Sequence, residues 1–501
     1  MRLSQLRQSR ADGNPADSAS PQPPAGDDPE ITGLTADIRA VRPGFVFAAL
    51  QGVKTDGRIF IPHAVARGAA AVLAAEDTSL PADSSSTVLL TDPQPRLAFA
   101  RMAAAFHGWR QPETVVAVTG TNGKTSTVQF AAQIWTRMGL SAGSMGTLGL
   151  IGPGLNIYGG MTTPDPVSLH RDLATAKDAG IDHLAMEASS HGLQQFRLDA
   201  VAIKAAGFTN LTLDHLDYHG TMEAYREAKA QLFQRILPPG CAAVLNADSN
   251  DFHFFAAICN ERGHRVLSYG LAGTELRVTG VEATAHGQRL ALSVFGRDVT
   301  VDLPLVGRFQ AWNVLCALGL VIGSGGDVEQ ALAALPLLEG VPGRLQHVAT
   351  HPNGATVYVD FAHTPDALET VLLALRSHAS RHLVTVFGCG GNRDRSKRPL
   401  MGALAARLAD RAIVTDDNPR TEDPAFVRSE VLAGATGELA GRLEEIGDRA
   451  EAIRTAVRQL QPGDLLVIAG KGHEQGQTIG TEVRPFDDAD EARKAVAEVG
   501  A

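Results

Sequence analysis

The chain has 501 residues, enough for about three domains of ordinary size. Its formal charge of −10, with both signs interspersed, argues against a nucleic-acid polyanion as the main partner. Four scattered cysteines (Cys241, Cys259, Cys316, Cys389) suggest neither a zinc site nor a disulfide framework, and no stretch reaches the roughly 18 apolar residues of a membrane span. The start, "MRLSQLRQSR", lacks the apolar core of a signal peptide, so a cytoplasmic protein is expected.

In chain order, a short amphipathic start leads into "ADGNPADSASPQPPAGDDPE" (11–30), too rich in Pro, Ser and Asp to pack; a flexible segment is expected over residues 1–30. Over residues 31–110, strand-like "GFVFAAL" and "AAAVLAA" alternate with helix-like "FIPHAVARG", a small α/β unit. A second α/β block, residues 111–345, opens with an apolar strand running into "VTGTNGKTST" and a helix. Further on, "HLAMEASSHG" reads as a strand ending on Glu187, and "AAGFTNLTLDHLDYHG" as a strand entering an acid- and His-rich loop. The helix "TMEAYREAKAQLFQRIL", the strand "CAAVLNAD", a β-rich stretch (266–303) and the helical "QAWNVLCALGLVIG" complete the block. In residues 346–501, "ATVYVDFAHTPDALE", "HLVTVFGCGGNRDRSKRPL", "RAIVTDDNP" and "DLLVIAGKGHE" each place a polar loop after an apolar strand. That is the pattern of a mostly parallel, Rossmann-like sheet with loops gathered at its carboxyl edge.

The loop at Gly120 has the order a phosphate cradle needs: a strand, free backbone N–H groups, then a helix N-terminus. Lys124 would reach the β/γ-phosphates and Thr125 would ligate Mg²⁺. Val118 stands where the standard loop has its first Gly, and a plain Gly turn between strand and helix is the alternative reading. Glu187 would face a metal near Thr125, or be a solvated strand-end acid. Asp214, His215, Asp217 and His219 crowd one loop without a zinc signature, so metal ligation and hydrogen-bonded loop polars both stand. Taken alone, Lys229 reads as a solvated helix lysine.

The ordered set "GTNGKTS", "TTPD", "MEASSHGLQQFR", "FTNLTLDHLDYHG", "YREAKAQLF", "VDFAHTPDALE", "FGCGGNRDRSKRPLM", "DDNPRTEDP" and "AGKGHE" resembles the Mur ligase family over about residues 31 to 490. Within the family the resemblance is to the members that add the third residue of the peptidoglycan stem peptide. It implies three α/β domains: a UDP-sugar-binding domain (31–110), a central P-loop-type ATP-binding domain (111–345) and a C-terminal amino-acid-binding domain (346–501). It implies that Gly120, Thr121, Asn122, Gly123, Lys124, Thr125 and Ser126 hold ATP phosphates, with Asn313 and Arg344 near adenine. Glu187 and His215 match Mg²⁺ ligands, and Lys229 matches a lysine carbamylated by CO₂ that binds a second Mg²⁺. UDP-MurNAc-L-Ala-D-Glu would be held by the segment around Ile38 and by Thr162, Thr163, Ser189, Gln195 and Arg197. Arg393, Asp417, Asn418, Pro419, Arg420, Gly470 and Glu474 would hold meso-diaminopimelate, Arg420 meeting its distal carboxylate as a fork and Glu474 meeting its ammonium. Arg420 could instead cap a helix or pair with Asp417, and His363 is a candidate base for the incoming amine or a structural residue. The implied working unit is a monomer with small-molecule substrates only.

Three positions depart from the family pattern: Ile38 for a Ser, Met161 for an Asn, and Gln310 for an Asn. Competing readings are a folylpolyglutamate synthetase, a P-loop switch or motor ATPase, and an inactive nucleotide-binding scaffold. An N-terminal UDP-binding-like domain, Val118, and the intact Lys124, Glu187, His215 and Lys229 speak against them in that order.

Overall fold

The computed structural model describes residues 1–7, 28–52, 55–82, 84, 86–284 and 287–500, with the backbone alone of Asp217. Most of the flexible segment expected over residues 1–30, namely 8–27, lies outside the described residues. Its two ends are packed against the first unit or tied to each other. Leu3 and Leu6 are buried in the same core as Phe99 of the helix Pro95–Phe106. Asp28 accepts hydrogen bonds from Ser4 N at 2.7 Å and Ser4 Oγ at 2.8 Å. The amphipathic spacing of Leu3 and Leu6 gives that start an apolar side, and burial makes it part of the first unit.

That unit is a four-stranded parallel sheet, Gly33–Thr35, Phe45–Ala48, Ala71–Ala74 and Val88–Thr91, in chain order. The second is an eleven-stranded sheet whose centre is parallel and whose two edges are antiparallel. Thr114–Thr119 lies at that centre, between Ala205–Phe208 and His183–Glu187. Its run "TVVAVT" is apolar without alternation because the sheet is covered on both faces. One cover is the helix Arg308–Gly323, apolar on all sides and packed on the helix Lys124–Arg137.

The third sheet runs Gln346–Thr350, Thr356–Asp360, Leu465–Ala469, Leu383–Phe387, Arg411–Val414 and Leu443–Glu445, parallel except at the first strand. Two local differences from the expected elements matter for the site. The acid- and His-rich loop contains a helical turn, Leu216–His219, and the helix carrying Lys229, Met222–Gln231, relaxes into a wider turn over Leu232–Ile236. No helix among the described residues is long and apolar enough to cross a membrane.

Candidate functional site

Because Thr114–Thr119 is central, the loop after it is flanked by the carboxyl ends of both neighbours, where ligands of open α/β sheets bind. The loop is pinned on one side by Thr121 N to Asn210 O (2.9 Å), Asn122 N to Asn210 Oδ1 (3.0 Å) and Thr209 Oγ1 to Asn122 O (2.6 Å). Gly123 has φ +88°, and a Cβ there would sit 2.3 Å from Asn313 Oδ1, so the close approach requires glycine. The helix starts at Lys124, with Thr125 and Ser126 buried in its first turn. Lys124 Nζ donates to the carbonyls of Gly120 and Thr121, both at 2.8 Å, and burial lowers its pKa from the ordinary lysine value.

Glu187 joins two groups of candidate residues. Its carboxylate accepts from Thr125 Oγ1 at 3.1 Å and from Thr147 N at 2.8 Å. Its main-chain oxygen accepts from Thr163 Oγ1 at 3.0 Å, and Thr163 Oγ1 accepts from Ser189 N at 3.0 Å. Thr162 Oγ1 lies 3.1 Å from Thr147 Oγ1. Arg197 donates to Thr163 O at 2.6 Å and to Gln195 Oε1 at 2.8 Å, while Gln195 Nε2 donates to the Tyr218 hydroxyl at 3.0 Å. Ser189 also caps the short helix Ser190–Gln194 through Gly192 N. Met161 lies beside this group, its sulfur 3.5 Å from Arg197 Nη1. Ile38 does not join it; its side chain packs on the Val41–Phe47–Ile61 core of the first sheet.

His215 has φ +53° at the head of the turn Leu216–His219, its Nε2 3.4 Å from Asp214 Oδ2. Lys229 is only 1% exposed, so it is not a solvated helix lysine. Its Nζ sits 4.1 Å from the Tyr225 ring centre, and among the described residues no hydrogen bond or ion pair reaches it. Burial first, then the Lys124 charge, holds its pKa well below the ordinary value.

Between the second and third sheets lies a cavity of about 890 Å³. Lys124, Trp312, Asn313 and Arg344 line one side, and Phe361, His363 and Asp366 the other. Asn122 Nδ2 donates to Asp366 Oδ2 at 3.2 Å, Arg344 Nη2 to Thr125 Oγ1 at 3.3 Å, and the Arg344 guanidinium stacks 4.5 Å from the Phe361 ring centre. The departure at Gln310 has a structural outcome: buried, it accepts from Asn313 Nδ2 at 2.9 Å and donates to Arg344 O at 3.2 Å. It braces both residues expected near adenine. His363 Nδ1 lies 2.8 Å from the Phe361 carbonyl, which can only accept, so Nδ1 carries the proton and Nε2 the lone pair. Burial lowers its pKa.

At the carboxyl edge of the third sheet, Asn418 Nδ2 donates to Glu474 Oε2 at 2.9 Å. Gly470 follows the strand Leu465–Ala469, 3.5 Å from the Asp417 carboxylate measured from where a Cβ would stand. Pro419 and Arg420 follow, and Arg420, at φ +52°, donates through Nη1 to Gly391 O at 2.8 Å. Its side-chain hydrogen bonds among the described residues go to loop carbonyls, not to Asp417 or a helix end. Burial, then the charge of exposed Arg393, lowers the Arg420 pKa. Sequence reasoning missed Lys471, fully buried, whose Nζ donates to Glu474 Oε2 at 2.9 Å and Asn418 Oδ1 at 3.2 Å. The available signal was a lysine between two glycines directly after an apolar strand. It also missed Trp312, Phe361 and Asp366, whose place in the cavity depends on how two sheets meet.

Comparison with known proteins agrees with this arrangement. Residues 30–107 match the Mur ligase family catalytic domain, 118–321 the Mur ligase middle domain and 343–472 the Mur ligase glutamate ligase domain. The UDP-N-acetylmuramoyl-L-alanyl-D-glutamate–2,6-diaminopimelate ligase of Caulobacter vibrioides is 51% identical over 484 residues, covering 95% of this chain and 98% of that one. Its namesake from Mesorhizobium japonicum is 50% identical, covering 95% and 96%. A solved structure of a ligase of the same name superposes with a TM-score of 0.68 at 36% identity, over 94% of this chain and 96% of that chain. Mycobacterium tuberculosis folylpolyglutamate synthase shares the fold at a TM-score of 0.61 and 20% identity, over 80% of this chain and 94% of its own. Matched in all three domains and half identical to relatives along nearly its whole length, the chain belongs to the Mur ligase family.

Proposed function

We propose that this ligase adds meso-diaminopimelate to UDP-MurNAc-L-Ala-D-Glu at the expense of ATP, a step in peptidoglycan precursor synthesis. The observation that carries the reading is Glu187, whose carboxylate bonds Thr125 of the phosphate loop while its main chain bonds Thr163 of the expected muropeptide surface. The acceptor carboxylate and the nucleotide γ-phosphate would then meet on either side of one residue. Phosphoryl transfer to the D-glutamate carboxylate gives an acyl phosphate and ADP. The diaminopimelate amine attacks its carbonyl carbon, the tetrahedral intermediate expels phosphate, and an amide remains once the amine proton is lost. Lys124, drawn off the loop carbonyls, stabilises charge on the transferring group, and no protein nucleophile is needed. His363, with its lone pair on Nε2 in the cavity wall, is our candidate for the amine proton.

The donor types present fit Mg²⁺, a hard cation that favours oxygen ligands: the Thr125 hydroxyl and the Glu187 carboxylate bond each other, and His215 lines the same cavity. Among the described residues no three His, Cys, Asp or Glu side chains form a metal cluster of their own, so substrate phosphates and Lys229 complete the donor set in this reading. Mg²⁺, when bound, neutralises charge on the phosphates. Burial disfavours the ammonium and so favours the free amine, the form that combines with CO₂ and then releases a proton. The carbamate so formed would supply carboxylate-like oxygens at Lys229.

For the amino acid, Arg420 keeps guanidinium N–H groups on Nε and Nη2 beyond those of Nη1 spent on Gly391 O and Asn418 O, suited to a carboxylate, and Glu474 suits an ammonium. Diaminopimelate is also what the half-identical relatives are named for. One chain's own domains line the cavity, so a monomer suffices in this reading; its use of ATP suits the cytoplasm. The test is phosphate release from ATP with the muropeptide, with and without meso-diaminopimelate, L-lysine or glutamate. Release that rises only with diaminopimelate is expected. Release indifferent to any amino acid would mean an ATPase, and a response to glutamate alone would mean a folylpolyglutamate-type acceptor.

A further inference from the structure

Among the charged members of the C-terminal motifs with no role in the reading above are Arg398 of "SKRPLM" and Glu422 of "NPRTED". Arg398 lies in the first turn of the helix Lys397–Leu408 and is fully buried. Its Nη1 donates to Glu422 Oε2 at 2.9 Å and Glu430 Oε2 at 2.6 Å. Its Nη2 donates to Glu422 Oε1 at 3.0 Å and to the main-chain oxygen of Gly390 at 3.2 Å. Glu422 Oε1 in turn accepts from Asn392 N. The Arg398 and Asn392 bonds bring the Glu422 carboxyl down to about 2, so it stays charged.

These bonds clasp two loops that also grip each other. Gly391 N donates to Asn418 O at 2.9 Å, and Thr421 N and Oγ1 donate to Asn392 Oδ1 at 3.1 and 2.8 Å. A Cβ on Gly391 would stand 1.9 Å from Pro419 O, so only glycine lets the loops meet this closely. Asn392 and Arg420 both hold left-handed backbone, at φ +53° and +52°. Such conformations persist in non-glycine residues where the surroundings over-determine them. Gly391 O, the anchor of the Arg420 guanidinium, lies between Gly390, held by Arg398, and Asn392, held by Glu422.

We propose that buried Arg398 and half-buried Glu422 form a strut that sets the spacing of these loops and thereby aims Arg420 and Arg393 at the distal carboxylate of the incoming amino acid. Arg398 is a positioning residue for substrate choice, an inference that rests on the diaminopimelate reading. A carboxylate fork needs two parallel hydrogen bonds, and a misplacement of about 1 Å can cost on the order of a hundredfold in rate.

Glu422→Gln in the full-length protein tests it, because the amide keeps the shape but leaves one acceptor oxygen for donors that used two. Glu430→Gln is the control, neutralising the other Arg398 partner, on the helix Pro424–Leu432. Glu422→Gln is expected to raise KM for meso-diaminopimelate about tenfold, with KM for ATP within about twofold of wild type, and to narrow the preference over L-lysine by a similar factor. Glu430→Gln should lower the thermal midpoint without changing that preference. If Glu422→Gln does not fold, Arg398→Lys, which keeps the charge and loses the fork, is read in the same way. A lowered midpoint with unchanged preference in these strut variants means that the pair only holds the fold together, and sinks the proposal. Wild-type enzyme indifferent to diaminopimelate removes the functional reading and this inference together, before any variant is made.

Discussion

Lys229 is where the sequence reading of a residue and its surroundings differ most. Nothing in "YREAKAQLF" distinguishes it from an exposed helix lysine, yet it is buried beside a tyrosine ring with a second lysine nearby. An unpaired ammonium in such a place is costly, and deprotonation or chemical modification removes the cost. If a carbamate forms there, Lys229→Ala should lower kcat by about 10²–10³, the scale of losing one preorganised electrostatic partner. Millimolar short-chain carboxylates should return part of the activity by supplying the missing oxygens. A variant within fivefold of wild type, measured at saturating substrates, would remove Lys229 from the chemistry. Lys124 and Glu187 were legible because strand, loop and helix follow one another in the chain. Gln310, Lys471 and Arg398 each bond a partner distant in sequence (Arg344, Asn418 and Glu422), so that part of their roles became visible only with the fold.

At the scale of elements, the helix Pro166–Asp178 shows how local chemistry and burial pull apart. Its start is written in "TPDPVS": Asp165 Oδ1 caps Val167 N at 3.0 Å and Ser168 N at 3.2 Å, and Pro166 opens the first turn. Its interior carries His170, 3% exposed, whose Nε2 has no hydrogen-bond partner among the described residues. Burial, then the charge of His107, brings the imidazole down to about 3 from 6.5. In the unfolded chain it protonates near 6.5, so its contribution to stability is intact above that pH and is lost as pH falls toward 3. The denaturant midpoint of the central domain should therefore fall between pH 6.5 and 4.5. His170→Leu should flatten that fall by on the order of 2 kcal/mol, since each pH unit of one unmatched proton is worth about 1.4 kcal/mol. Identical pH slopes for variant and wild type would show that His170 protonates without unfolding its helix.

Over the whole molecule, the cavity belongs to no single sheet. The loop Gly120–Gly123, Asn313 and Arg344 meet Phe361, His363 and Asp366 across it, and the direct ties seen there are few: Asn122 to Asp366, and Arg344 over Phe361. The C-terminal unit has a two-sided core that takes in Val306 and Phe309 from the central unit, so opening away from the central sheet has to pivot on or part these side chains but need not unfold either unit. A nucleotide that touches both walls binds the closed arrangement alone, and linkage then stabilises that arrangement by about 2.7 kcal/mol at a ligand concentration a hundred times Kd. Amides that exchange through this opening, in the helix Pro365–Arg376 and the loop at Gly123, should slow together by up to roughly a hundredfold when nucleotide and Mg²⁺ are added. Amides of the first sheet, Gly33–Thr91, should not change. Asp366→Ala removes the hydrogen-bonded tie, so without nucleotide the helix should exchange faster than in wild type, while nucleotide still slows it. Protection confined to residues 118–321 would mean that nucleotide sits on the central sheet alone, leaving the third unit to be brought in by a later substrate.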